Sequence, residues 1–136
     1  MLTKKLVNQI SYEVVGCAIA VHKELGPGML ESIYEDCMCI EFEEKGIKFQ
    51  RQVPIELNYK GRKINRQMKL DLMVEEAIIV ELNAVEMMNP IYTAQLLSYL
   101  NQAKLPKGLL INFNETNIVN TMIPLVSKYF KNLPDQ

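Results

Sequence analysis

Apolar residues at Leu6, Val7, Ile10, Val14, Val15, Ala18, Val21 and Leu25 fall three and four positions apart, with polar residues between them. That spacing predicts a helix with one buried face. Gly26-Pro27-Gly28 ends it, because glycine accepts left-handed backbone and proline cannot continue the hydrogen-bond ladder. A second helix is predicted from about Met29 to Lys45, with Leu30, Ile33, Cys37 and Ile40 as its apolar stripe and Gly46 just past its end. The period then changes to two. Phe49, Arg51, Val53, Ile55, Leu57 and Tyr59 alternate as a strand does, and Pro54 places that strand at an edge or beside a bulge. Lys60-Gly61 is the turn into a return strand from Arg62. Two short apolar runs, Leu70–Val74 and Ala77–Leu82, meet at Glu75-Glu76 and predict a second hairpin.

Asn89-Pro90 is a cap followed by proline at the first helical position, so a third helix should run to about Ala103 with Ala94, Leu97 and Leu100 on its core side. The mostly apolar run Gly108–Phe113 has the character of a parallel strand covered on both faces, returning through a right-handed crossover. Beyond Asn114, Ile118–Phe130 fits strand or helix, and Pro124 interrupts either. The expected architecture is α/β: a mixed central sheet flanked by helices.

With 136 residues, 49 % of them hydrophobic, residues 1–136 are expected to form one domain. No apolar run approaches the roughly 18–20 residues of a membrane span, and the N-terminus lacks the apolar core of a signal peptide, so a cytoplasmic protein is expected. Cys17, Cys37 and Cys39 are odd in number and suit reduced thiols. The single histidine argues against a zinc site. A formal charge of −1 gives no global attraction to nucleic acid, so any such binding must come from a local patch.

Within the second hairpin, Asp71 and Glu81 each interrupt an apolar run. A three-residue turn, Glu75 to Ala77, sets Val74 opposite Ile78, Asp71 opposite Glu81 and Lys69 opposite Asn83, with facing side chains about 5 Å apart. That register gathers Lys69, Asp71, Glu81 and Asn83 on one face and leaves Leu70, Leu72, Val80 and Leu82 on the other; a two-residue turn would separate the acids. Two such carboxylates are the hard oxygen ligands that Mg²⁺ takes beside a phosphate. On pattern alone they also fit a solvated pair at a sheet end, a common arrangement of paired charges.

Asp71, then Glu81-Leu82-Asn83, then Gln95-Leu96-Leu97-Ser98-Tyr99 resembles the PD-(D/E)xK nuclease superfamily, whose metal-binding acids sit on such a hairpin ahead of a helix bearing QxxxY. Gly28, Glu31 and Tyr34 resemble the signature of the GxxExxY proteins, a bacterial family within that superfamily. The likeness extends from about Ser11 to Asn114. It implies a restriction-endonuclease-like αβββαβ core and Mg²⁺- or Mn²⁺-dependent hydrolysis of DNA or RNA. Asp71 and Glu81 would be metal ligands and catalytic residues, Glu31 a third carboxylate, and Gln95 a residue that orients water or substrate.

Glu31 also has a plainer reading, a charge favourable at the positive end of a helix. In the resemblance Asn83 occupies the place of the catalytic lysine, leaving that role vacant unless Lys69 supplies it. The outcome is either a weakened nuclease or a module that binds nucleic acid or protein without cleaving. Lys60, Arg62, Lys63, Arg66 and Lys69 run without an acid as far as Asp71. Lys63, Asn65, Gln67 and Lys69 should share the Asp71 face as a polar ribbon on which phosphates lie, with Arg62 and Arg66 nearby and Tyr99 on the third helix. A solvated strand face has the same pattern. His22, four residues before Gly26, is a candidate neighbour of the site or a partner for helix carbonyls.

Overall fold

The computed structural model describes residues 1–136, except that the side chain of Gln67, part of the expected polar ribbon, lies outside what is described. Helix α1 spans Lys4–Leu25, and the Thr3 hydroxyl caps it by accepting from the Leu6 amide at 3.0 Å. Helix α2 covers Glu31–Glu44. Strands β1 (Phe49–Tyr59), β2 (Arg62–Val74) and β3 (Ile78–Asn83) follow as an antiparallel meander. Helix α3 (Pro90–Ala103), capped by Asn89, then leads to β4 (Lys107–Asn112), which pairs parallel with β3. Short α4 (Ile118–Thr121), β5 (Ile123–Val126) and α5 (Lys128–Lys131) complete the chain. The strand order β1-β2-β3-β4-β5 puts β3 in the middle of a five-stranded mixed sheet. The expected α/β architecture is the observed one. Among the described residues, no helix is long and apolar enough to cross a membrane.

Two cores lie on the two faces of the sheet. One joins α1 and α2 to Leu72, Val74, Ile78, Val80, Leu82, Leu109 and Ile111. The other joins Leu96 and Leu100 of α3 to Ile55, Leu70, Ile79 and Leu110. Gly108 lets α3 lie close, because a methyl there would stand 2.9 Å from Leu96 Cδ1.

Several expectations about which side faces inward are overturned. In α2 the buried residues are Tyr34, Met38, Cys39 and Phe42, whereas Leu30 is 69 % exposed and Ile40 54 %. Tyr34 sets this rotation: its ring stacks on Phe113 at 4.3 Å, and its hydroxyl donates to the Gly26 carbonyl (2.6 Å) while accepting from the Met29 amide (3.0 Å). In α3 it is Leu96, seated over Gly108, that is buried with Leu100, and Leu97 is exposed.

Leu70 and Leu72, expected on one face, belong to opposite cores. The cause is local backbone. Gln52 has φ 48 and lies between the pairs Arg51–Leu72 and Val53–Leu70, so the β1–β2 pair turns over at Gln52 and Asp71. Phe49 accordingly packs with α1 and α2, while Val53 and Ile55 pack with α3. The segment after Asn114 resolves the earlier ambiguity by using both structures in turn, with Pro124 tolerated on the edge strand β5.

Candidate functional site

Glu75 and Glu76 both have positive φ, and the Ala77 amide bonds back to the Val74 carbonyl, which makes the three-residue turn of the second hairpin. The pairs Val74–Ile78, Met73–Ile79 and Leu72–Val80 follow. One step further the same register sets Asp71 opposite Glu81, and there the strands part. The Asp71 carboxylate takes over from the ladder, its Oδ2 accepting from the Leu82 amide at 2.9 Å.

The fork opens into a cleft of about 210 Å³ lined by Glu31, Lys69, Asp71, Glu81, Leu82, Asn83, Tyr92, Gln95, Leu96 and Tyr99. Four elements therefore deliver the candidate residues to one place. Glu31 heads α2, Lys69 and Asp71 come from β2, Glu81 and Asn83 from β3, and Gln95 and Tyr99 from the face of α3 that covers the fork. Residues Gly28 and Tyr34 act indirectly. The Tyr34 hydroxyl ties Gly26 to Met29, and this fixes the entry of α2 so that Glu31 Oε2 accepts from the Ala84 amide at 3.2 Å, just past β3.

The electrostatics are those of a site holding more acid than it can ionise. Glu81 is pushed up to about 10, first by burial and then by the neighbouring Asp71 carboxylate. Its Oε1 is buried and, among the described residues, has no hydrogen-bond partner. Tyr99 is raised by burial, then by the charges of Glu81 and Asp71, so it stays a neutral phenol able to donate. Among the described residues, no three His, Cys, Asp or Glu side chains already converge on one point, so Glu31 lines the cleft without closing a three-ligand set.

A second hollow, of about 320 Å³, adjoins the first on the α2 side and shares Glu31, Asp71 and Leu82 with it. Sequence reasoning missed its other residues. Glu35 is buried and accepts from Arg51 Nε (3.1 Å), Arg51 Nη2 (2.9 Å) and Gln52 Nε2 (2.8 Å), holding the left-handed Gln52 in place against Asp71. The buried Asn112 was missed too; its amide bonds both the amide and the carbonyl of Val85 and so anchors the loop after β3. An asparagine in an apolar strand was the signal available for Asn112. A larger hollow, about 580 Å³, lies by the β2–β3 turn and the start of α1, among residues that include none of the candidates.

Other candidates lie elsewhere. His22 Nε2 is 2.7 Å from the Glu115 carbonyl, and its ring lies beside Phe113, so it supports the loop after β4 rather than lining the cleft. Lys63 pairs with Glu56 at 2.8 Å on the exposed far part of the β1–β2 hairpin. Arg62 and Arg66 are exposed on that same part. Lys63 and Lys69, opposite Asn58 and Pro54, share the face turned away from Ile55 and α3, whereas Arg62 and Ile64, opposite Tyr59 and Leu57, continue the side of Ile55 and α3.

The sequence profile of the PD-(D/E)XK nuclease superfamily matches residues 8–123. No curated protein matches the chain. A solved structure titled "Crystal structure of SSO0001" is similar in fold, with a TM-score of 0.54 and 16 % identity over 71 % of this chain. The match covers 49 % of that protein, so this chain corresponds to about half its length.

Proposed function

Since the chain belongs to the PD-(D/E)XK nuclease superfamily, we propose that its cleft holds a divalent cation, Mg²⁺ or Mn²⁺, against the backbone of DNA or RNA, with hydrolysis held back by Asn83. The observation that carries this reading is the buried Glu81 Oε1, an acceptor with no partner beside a second carboxylate. An unpaired carboxylate oxygen in a low-dielectric site is costly, and a hard cation is the ligand that would satisfy it. Asp71 and Glu81 would hold the ion, with Glu31 within the same cleft. When bound, such an ion supplies positive charge against a phosphodiester and makes a water more acidic.

The remaining residues divide the work. Gln95 offers an amide that orients water or a phosphate oxygen, and the Tyr99 phenol donates from the same helix. Asn83 stands in the cleft where the superfamily motif has lysine; a neutral amide supplies neither charge nor a proton acceptor of useful strength. Lys69 is the cation that the cleft does contain. We read Gly28, Glu31 and Tyr34 as the GxxExxY signature, with the Tyr34 clip positioning Glu31 as its physical role.

The test is thermal. Mg²⁺ or Mn²⁺ at millimolar concentration should raise the unfolding midpoint of the wild type, as any ligand of the native state does, and leave that of Asp71→Ala unmoved. Equal shifts in both proteins, or none in either, would remove the metal reading.

A further inference from the structure

The β1–β2 hairpin is much longer than the sheet it belongs to. β1 has 11 residues and β2 has 13, yet β3 pairs only with Leu72–Val74, and the α3-side core ends on β1 at Ile55. Beyond Ile55 the two strands continue as a free ribbon to the Lys60-Gly61 turn, both residues of which have positive φ. Four successive cross-strand pairs at about 3.4 Å each give a projection of roughly 14 Å.

Its charge is one-sided. From Glu56 to Lys69 it carries Lys60, Arg62, Lys63, Arg66 and Lys69 against the single acid Glu56, in a chain of net charge −1. Lys63 is paired with that acid, and Lys60 lies over the ring of Tyr59, which is 64 % exposed. The register shift after Glu56 sets Leu57 opposite Ile64, so Asn65 and Arg66 bulge from β2. Bulges add right-handed twist. The root of the ribbon is Asp71, where the strands turn over.

We propose that this ribbon enters the major groove of duplex DNA, bringing the adjacent backbone to the cleft; the inference rests on the nucleic-acid reading of the cleft given above. A two-stranded ribbon fits a groove about 12 Å wide and 8.5 Å deep, and the projection exceeds that depth. The deep, narrow major groove of duplex RNA excludes the same element. Arg62, opposite Tyr59 on the α3 side of the ribbon, is placed to meet base edges, with arginine on guanine O6 and N7 the commonest such contact. Lys60 and Arg66 flank it for phosphates.

The full chain in EDTA is titrated with a mixed-sequence 30-base-pair DNA duplex, the matching RNA duplex and the single strand. Duplex DNA should bind at least about tenfold more tightly than duplex RNA, and methylation of guanine N7 should interfere over a contiguous patch. Lys60→Ser, Arg62→Ser and Arg66→Ser combined should weaken duplex binding at least about tenfold and flatten its log–log salt dependence by about 2–3. The Mg²⁺-induced thermal shift of that variant should persist. Equal binding to both duplexes, absence of N7 interference, unchanged binding by the variant, or no DNA binding at all would each overturn the proposal. So would a ribbon-dependent dimer without DNA binding, since it names a second copy as the occupant. Loss of the Mg²⁺ shift in the wild type with ribbon-dependent DNA binding intact would instead overturn the metal reading and leave this one standing.

Discussion

Asn83→Lys is expected to raise Mg²⁺-dependent cleavage of nucleic acid by about 10²–10³ over a wild type that cleaves little. Asn83 lines the cleft at the end of β3, one alternation from Glu81 on the same strand face, so a lysine there reaches the space beside both carboxylates. A charge contact to the transition state in a water-poor site is worth roughly 2.7–4 kcal/mol, and an amide offers none of it. The same variant should keep the wild-type circular dichroism spectrum. Lys69 provides the discriminating control, because it lines the same cleft. If Lys69 already supplies the charge, the wild type will cleave well and Lys69→Ala will abolish cleavage while the Mg²⁺ thermal shift remains. Strong wild-type cleavage that survives Lys69→Ala would show that neither position limits the reaction.

The ion-free protein should lose stability as pH rises, the reverse of what a salt-bridged carboxylate does. Glu81 moves from an ordinary 4.5 to about 10 in the fold, chiefly through burial. The neutral acid is favoured by the native state, so its contribution is complete below about pH 4.5 and is lost progressively towards about 10. Between those limits stability falls steadily with each pH unit, because the unfolded chain gives up the Glu81 proton that the native state retains. Urea unfolding in EDTA from pH 5 to pH 9 should show the decline, and Glu81→Gln should flatten it, since a neutral amide has no proton to lose. A wild-type profile parallel to that of Glu81→Gln would refute the assignment. Metal binding needs the carboxylate, so Mg²⁺ affinity should climb over the same range.

The order of elements was legible because it depends on period, and period survives local irregularity. Helices α1 and α3, the Asn89 cap and both hairpin turns lie close to where spacing and turn chemistry put them. Facing was less legible. Tyr34 displaced the expected stripe of α2 because a long-range stack on Phe113 and two hydrogen bonds outweigh the exposure of Leu30 and Ile40. The left-handed Gln52 overturned the assignment of Leu70, since nothing in the residues QRQVP announces positive φ at a glutamine. The odd-length turn, and with it the approach of Asp71 to Glu81, followed from requiring the acids to meet. The Glu35, Arg51 and Gln52 cluster joins two elements that only the folded sheet brings together, and no local spacing encodes it.

The topology also separates the cleft into parts of different permanence. Asp71 and Glu81 belong to one hairpin closed by three residues, whereas α3, which covers them, sits in the long connection between the parallel strands β3 and β4. Closing a hairpin costs less chain entropy than closing that connection, so the acid pair is expected to form early in folding and α3 to dock last. In the native protein the same asymmetry is expected to let α3 open before the acid pair separates. Its amides should exchange with solvent faster than those of Leu72–Val74 and Ile78–Val80, and equal protection would deny it that role.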